Sequence, residues 1–129
     1  MRELIKLRDY YITADISIKR TSPLNIVISH GSNNDRNYKL ILDLFNLLKK
    51  TYTVLRFNFS YVDHELRKSN ARNEKEIKAC LKNLNGRDLN RFHPKYQFFL
   101  SCTDKFAFSG KHLRNPTTFM RVYLFYNIG

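Results

Sequence analysis

The sequence has little that would build a disulfide framework, a membrane span or a secretory leader. It holds 2 cysteines in 129 residues, Cys80 and Cys102, which are too few to cross-link a small fold. No segment approaches the roughly 20 consecutive apolar residues that cross a bilayer. Charged residues interrupt the first segment, Met1 to Lys6, where a signal peptide has its apolar stretch. These absences predict a protein of the reducing cytoplasm that contacts no membrane.

Acidic residues are also scarce. The chain has 11 Asp and Glu against 23 Lys and Arg, which gives a formal net charge of +12. A basic surface attracts nucleic acid, so a small basic nucleic-acid-binding module is one alternative function. The cations are spread along the chain rather than gathered in a tail, and no nucleic-acid-binding motif accompanies them. The sequence therefore disfavours nucleic acid as the partner without excluding it.

Several segments have the periodicity of regular structure within what the length predicts to be one domain. Residues 11–18 alternate between apolar and polar side chains, as in a half-buried strand, and residues 3–7 could pair with them antiparallel. Residues 25–29 and 52–59 are short apolar runs typical of buried strands. Helical spacing predicts helices over 37–50 and 73–85. Asn73 and Glu76 have the spacing of a capping box at the start of the second helix.

The second half of the chain is harder to interpret. Apolar residues in 87–104 favour a helix, although Pro94 interrupts the spacing and a strand over 96–100 is the alternative. Strands are predicted at 105–109 and 122–128. The alternation of strands and helices predicts an α/β fold, a three-layer α/β/α arrangement around a mostly parallel sheet. That sheet would contain residues 25–29, 53–59 and 105–109.

Two segments of the first half resemble a known family. The first strand runs into His30-Gly31-Ser32, and residues 55–61 read Leu-Arg-Phe-Asn-Phe-Ser-Tyr. With the helix between them, these segments are similar over residues 24–63 to dienelactone-hydrolase-like α/β-hydrolases of the testis-expressed protein 30 type. The resemblance implies a truncated α/β-hydrolase-like fold, with residues 1–129 as a single incomplete domain. It also implies that His30, Gly31 and Ser32 form an oxyanion loop, with the backbone N–H of Ser32 as the donor.

The same family has a Gly-x-Ser-x-Gly nucleophile elbow, and its position here is degenerate. The corresponding residues are Gly110, Lys111, His112, Leu113 and Arg114. His112 takes the place of the nucleophile, and Arg114 takes that of the second glycine, where the strained turn needs a small residue. The triad acid and histidine follow later strands in the family and have no counterpart in this sequence. Ser109 precedes the elbow and is expected to point into the sheet.

We therefore predict a truncated or degenerate hydrolase-like protein with no catalytic residues and no hydrolase activity of its own. The alternative from the enzyme class is an ester hydrolase that a partner or a second chain completes. The histidines share no ligand spacing, so no metal or other cofactor is predicted; they are His30, His64, His93 and His112. Because residues 122–128 would form an uncovered C-terminal edge strand, self-association through that strand is expected.

Overall fold

A computed structural model describes residues 1–31, 34–87, 98–102 and 120–126 of the chain. Within these ranges the elements follow one another in this order: β1 (Arg2–Lys6), β2 (Tyr11–Ser17), β3 (Leu24–Ser29), α1 (Lys39–Leu48), β4 (Thr53–Phe57), α2 (Ser60–Asp63), α3 (Asn70–Arg87), β5 (Phe98–Cys102) and β6 (Met120–Tyr126). The first two strands form a hairpin whose turn is closed by a 2.8 Å hydrogen bond from the Leu7 N–H to the Tyr10 carbonyl.

The strands form one mixed sheet in the order β1-β2-β4-β3-β6-β5. Among the described strands, β3 and β4 are the only pair that runs in parallel. The other pairings among the described strands, β1–β2, β2–β4, β3–β6 and β5–β6, are antiparallel. The prediction of a three-layer α/β/α fold around a mostly parallel sheet is therefore wrong. The protein is a small mixed sheet, mostly antiparallel, with helices packed against it.

The error in strand direction has a physical reason. A continuous apolar run shows that a strand is covered on both faces, but the same run can pair in either direction. A helical crossover, α1, joins β3 to β4, and this connection makes them parallel. The strand β6 has the same apolar character as β3 but runs against it, with Leu24 opposite Tyr126 and Ser29 opposite Arg121.

Most elements of the first two thirds lie where the sequence predicts them. The bounds of β1, β2, β3 and β4 and of the helices α1 and α3 agree with the periodic segments to within a few residues. The helix favoured over residues 87–104 is wrong where it can be compared, because residues 98–102 form the strand β5. The short helix α2 was not predicted. The strand expected at residues 105–109 lies outside the described residues.

The strand β6 is not at an edge of the sheet. It pairs with β3 on one side and with β5 on the other, so the outer strands of the described sheet are β1 and β5. Its residues Val122 and Phe125 are buried in the core. The prediction of self-association through the C-terminal strand assumed an open edge there, and β6 does not provide one. Whether the chain self-associates stays a prediction.

The helices pack against the sheet through apolar residues that recur about once per helical turn. Ile41 and Phe45 are the buried residues of α1, and the guanidinium of Arg56 on β4 lies 5.0 Å from the centroid of the Phe45 ring. Helix α3 buries Cys80 and Leu84, one turn apart. No helix in the described ranges combines the length and the apolar character needed to cross a membrane.

Candidate functional site

The parallel strands β3 and β4 end at the same edge of the sheet, which is where ligand sites of open sheets with parallel strands form. His30 and Gly31 directly follow β3, and Asn58 and Ser60 lie at the end of β4. Three of these residues are buried polar side chains, His30, Asn58 and Ser60, and the carboxylate of Glu76 from α3 is buried with them. We call His30, Asn58, Ser60 and Glu76 the polar cluster.

His30 uses both ring nitrogens within the protein. The backbone N–H of Phe59 donates to Nε2 at 3.0 Å, so Nε2 carries no proton. The proton is then on Nδ1, which donates to the carbonyl oxygen of Gly31 at 2.7 Å. The ring also meets those of Phe59 and Tyr61 edge to face, with centroids 5.0 and 5.7 Å away. A neutral imidazole thus joins the end of β3 to the end of β4.

Burial favours the neutral form of this histidine. It lowers the pKa of His30, because a buried imidazolium would lose its hydration. The Gly31 carbonyl and the carboxylates of Asp35, Asp63 and Glu76 favour the charged form, but their effect on the pKa is smaller than that of burial. A general base needs a free nitrogen to take a proton from a nucleophile. His30 has none in this arrangement.

The carboxylate of Glu76 organises the other half of the cluster. Its Oε1 accepts the backbone N–H of Ser60 at 2.8 Å. Its Oε2 accepts the hydroxyl of Ser60 and the phenol of Tyr10, each at 2.6 Å. Ser60 begins α2, so its N–H is one of those that a helix leaves without an internal partner at its start. Glu76 supplies that partner and connects α3 to α2 and to the β1–β2 hairpin.

The groups around Glu76 are held in their protonated forms. Burial, followed by the hydrogen bond and the charge of Glu76, raises the pKa of Tyr10 to about 12. Cys80 lies one turn further along α3, and burial and then the Glu76 charge raise the pKa of its thiol well above the usual value. Only the thiolate is a good nucleophile. Cys80 is therefore a core residue rather than a reactive one.

Asn58 and Asp63 continue the hydrogen bonding of the sheet past the end of β4. The Asn58 N–H donates to the carbonyl of Thr13 on β2 at 2.9 Å, and Asp63 accepts the Thr13 N–H at 3.0 Å. The Asn58 amide also donates to Asp63 at 2.9 Å and accepts the backbone N–H of Arg36 at 2.7 Å. Asn58 therefore fixes the loop before α1 as well as the start of α2.

A second buried group of charges lies beside the cluster. The Oδ2 of Asp15 is 2.9 Å from Nε of Arg36 and 3.0 Å from Nη2 of Arg56. Arg56 also donates from Nη1 to the carbonyl oxygen of Arg36 at 2.7 Å. The side chains of all three residues are largely buried. They connect β2, β4 and the loop that precedes α1.

The cluster is not arranged for acyl transfer. Ser60 is 0 % exposed, and its hydroxyl donates to Glu76. A nucleophile must be reachable by substrate and hydrogen-bonded to a base. Within the residues that the structure describes, no hydrogen bond connects Ser60 to His30. Nor do the described ranges contain a group of three or more His, Cys, Asp or Glu side chains able to hold a metal.

Comparison with known proteins does not identify the chain. It matches no protein family, no curated protein and no solved structure. The likeness to dienelactone-hydrolase-like proteins therefore rests on the sequence alone, on residues 24–63 and more loosely on residues 105–114.

Two of the predicted site residues fall within the described part of the chain. His30 and Gly31 lie at the carboxyl end of β3, and the Gly31 carbonyl accepts from His30 at 2.7 Å and from the Tyr61 hydroxyl at 3.4 Å. Ser32, the predicted oxyanion donor, lies outside the described residues. So does the whole degenerate elbow of Gly110, Lys111, His112, Leu113 and Arg114.

Sequence reasoning missed the role of Glu76. Its spacing from Asn73 suggested a capping box, but α3 begins at Asn70 and Glu76 lies inside the helix. A signal was present, since Glu76, Cys80 and Leu84 repeat every four residues and so share one helix face. All three are 0 % exposed. A carboxylate on an apolar helix face needs buried donors, and these are Ser60 and Tyr10.

Proposed function

We propose that the chain is a degenerate hydrolase-like protein of the cytoplasm without ester hydrolase activity of its own. The observation that carries this proposal is the occupation of both ring nitrogens of His30 by backbone groups. The proposal concerns activity and does not depend on a mostly parallel sheet. The resemblance over residues 24–63 supports the hydrolase-like part, and the contacts of His30, Ser60 and Glu76 support the absence of activity.

The His30-Gly31 segment has a structural role in this proposal. In a working oxyanion loop, backbone N–H groups point at the developing charge of the substrate, and water is excluded. Here the His30 ring is 4 % exposed and holds the N–H of Phe59. The Gly31 carbonyl receives two donors from the protein itself. The segment joins β3 to β4 through these bonds and stabilises the end of the parallel pair.

The identity of the residues at the elbow position also supports the absence of activity. Removing the nucleophile of a Ser–His–acid triad lowers the rate by several orders of magnitude, about 10⁶-fold in a well-studied protease. His112 stands where the family has its serine, and a histidine there could be activated only by a further base. Arg114 is too large for the strained turn that the second glycine normally allows.

A p-nitrophenyl ester assay tests the proposal. We expect no turnover of short acyl esters above the buffer rate by the native chain. The double variant His112→Ser/Arg114→Gly should also remain inactive, because His30, the buried histidine of the polar cluster, has no nitrogen free to deprotonate the new serine. Turnover by the native chain that a serine-directed phosphonate blocks would contradict the proposal. Loss of that turnover in Ser109→Ala, but not in Ser60→Ala, would then identify the nucleophile.

A further inference from the structure

Four exposed cations lie together at the end of the sheet opposite the polar cluster. Lys19 and Arg20 follow β2, and Lys49 and Lys50 follow α1. The two segments meet at Thr53, the first residue of β4. The Lys19 N–H donates to the Thr53 hydroxyl at 2.8 Å, and the same hydroxyl donates to the Lys19 carbonyl at 3.0 Å. We call Lys19, Arg20, Lys49 and Lys50 the basic end.

The backbone that carries these cations is well fixed. The Ser22 N–H donates to the Lys19 carbonyl at 2.9 Å and forms a turn at the end of β2. After α1, the N–H groups of Thr51 and Tyr52 both donate to the Leu48 carbonyl, at 3.1 and 2.9 Å. The cations therefore belong to two short turns that are hydrogen-bonded to each other through Thr53, and the Lys49 ammonium lies 5.9 Å from the centroid of the Phe45 ring. Less conformational freedom is lost on binding when charged groups start from a fixed backbone.

The two segments that carry these cations contain no acidic residue. The sequence has no Asp or Glu from Ile16 to Asn34, and none from Leu44 to Val62. The acids that border the two segments on this side are Asp15 and Asp43, and both already form ion pairs. Asp15 binds Arg36 and Arg56, and Asp43 binds Lys39. The ion pairs formed within the described ranges include none of the four cations of the basic end.

We propose that the basic end binds the phosphodiester backbone of nucleic acid. Lys and Arg at the ends of short turns contact phosphates without reading bases, so the binding would be independent of sequence. The lack of a nucleic-acid-binding motif agrees with a backbone contact and argues against a base-reading one. The inference goes beyond the absence of hydrolase activity and stands independently of it, because no residue of the polar cluster takes part.

The surface suits nucleic acid better than an anionic membrane. A peripheral membrane surface combines cations with apolar side chains that enter the bilayer. The exposed apolar residues near the basic end are Met1, which pairs with Ile16 and is 78 % exposed, Leu47 of α1 at 62 % and Ile18 at 38 %. Leu47 lies one helical turn after Asp43, whose side chain is also 62 % exposed. The charged pair of Lys39 and Asp43 is exposed on the same face of α1 and opposes the entry of Leu47 into a bilayer, whereas a phosphate backbone contacts cations without burying apolar side chains.

The number of cations fixes the expected dependence on salt. Each phosphate that is neutralised releases condensed counterions, so four contacts to duplex DNA give a slope of log K against log salt of about −3.6. This slope corresponds to an affinity loss of about 100-fold between roughly 50 and 200 mM salt. Removing two of the four cations should change the slope of log K against log salt from about −3.6 to about −1.8.

Fluorescence anisotropy with a labelled DNA duplex, measured over a series of NaCl concentrations, tests the proposal. The variant is Lys19→Ala/Lys50→Ala, which takes one cation from each segment. The matched control is Lys75→Ala/Lys82→Ala, which removes two exposed lysines from α3 and changes the net charge equally. We expect a shallower slope for the first variant and the native slope for the control. All four substituted lysines are exposed, so we expect the native protein and both variants to be equally stable. Thermal unfolding of the three proteins checks this.

Each of three other results would overturn the proposal. An equal loss of slope in the variant and the control would show that the net charge of the chain, and not the basic end, attracts DNA. No binding to the duplex even at the lowest salt would remove the interaction altogether. Binding to vesicles of equal parts phosphatidylcholine and phosphatidylserine, but not to DNA, would assign the surface to membranes instead.

Discussion

Replacing His30 tests most directly how the polar cluster stabilises the fold. His30→Ala removes the acceptor of the Phe59 N–H and the ring that packs edge to face against Phe59 and Tyr61. A buried donor left without a partner costs about 1–3 kcal/mol. The lost packing of a buried ring adds about 2 kcal/mol, somewhat less than for a full Phe→Ala change. We therefore expect the free energy of unfolding to fall by about 3–5 kcal/mol.

His30→Gln is the matched control, since a glutamine can place its Oε1 near the position of Nε2. The Phe59 N–H then keeps an acceptor, and the expected loss is about 1 kcal/mol, mainly from the smaller packed surface. Glutamine does not titrate, so this variant also isolates the protonation of His30. Urea unfolding followed by circular dichroism gives the free energy of unfolding for each protein.

The native protein should lose stability in mild acid through His30. Burial lowers its pKa in the folded state, while the unfolded chain has the ordinary value of about 6.5. The unfolded state therefore takes up the proton first. The contribution of His30 is complete above about pH 6.5 and is lost as the pH falls from there toward the folded-state pKa. Within that window the loss approaches about 1.4 kcal/mol per pH unit.

The difference between the native protein and His30→Gln carries the test, because His64, His93 and His112 are present in both. We expect the advantage of the native protein to shrink as the pH is lowered below about 6.5. If the difference in unfolding free energy is the same at pH values above and below that point, the neutral, buried imidazole is refuted. If His30→Ala and His30→Gln unfold at the same urea concentration, the role of His30 as acceptor for the Phe59 N–H is refuted.

Substitutions at Glu76 and Asp15 test the other buried charges, with Asp43 as an exposed control. Glu76→Ala leaves the Ser60 N–H, the Ser60 hydroxyl and the Tyr10 phenol without their acceptor and should lower the free energy of unfolding by about 3–5 kcal/mol. Glu76→Gln retains one acceptor oxygen and should lower it by less. Equal stability of the two variants in thermal unfolding would contradict this role of Glu76. Asp15→Asn leaves Arg36 and Arg56 close together without a counter-charge and should cost about 2 kcal/mol. Asp43→Asn breaks only an exposed pair with Lys39 and should change the free energy of unfolding by less than about 0.5 kcal/mol. Equal denaturant midpoints for Asp15→Asn and Asp43→Asn would show that the buried pairs of Asp15 stabilise the fold no more than an exposed pair does.

The sequence predicts local structure well where periodicity is strong. The alternation of residues 11–18 and the apolar run 25–29 each report how one segment is buried, and both correspond to strands. The helix α1 follows from its apolar spacing in the same way. Strand direction is a different kind of property, because it depends on which segments pair. The antiparallel pairing of β6 with β3 joins residues far apart in the chain, and no local pattern encodes it.

The misread segment and the misread glutamate have a common cause. The apolar spacing in residues 87–104 fits a helix, yet Phe98–Cys102 pairs with β6 as a strand. Glu76 fits a capping box, yet its carboxylate is held by donors from α2 and the β1–β2 hairpin. In each case a tertiary contact overrides a weak local preference. The function of the His30-Gly31 segment is hidden for the same reason, since the Phe59 N–H that binds it is 29 residues away.

The position of β6 also has a kinetic consequence. Strands β1 to β4 are drawn from neighbouring parts of the chain, and the β1–β2 hairpin and the α1 crossover bring them together over short loops. The other side of β3 is covered only when β6 arrives, and Leu24 and Tyr126 are roughly 100 residues apart in the chain. Closing so long a loop is slow, so folding should pass through a species in which Ile26 and Ile28 form an unpaired apolar edge. During synthesis, that edge stays open until the ribosome has released Met120–Tyr126, and the nascent chain is most prone to aggregate in this interval.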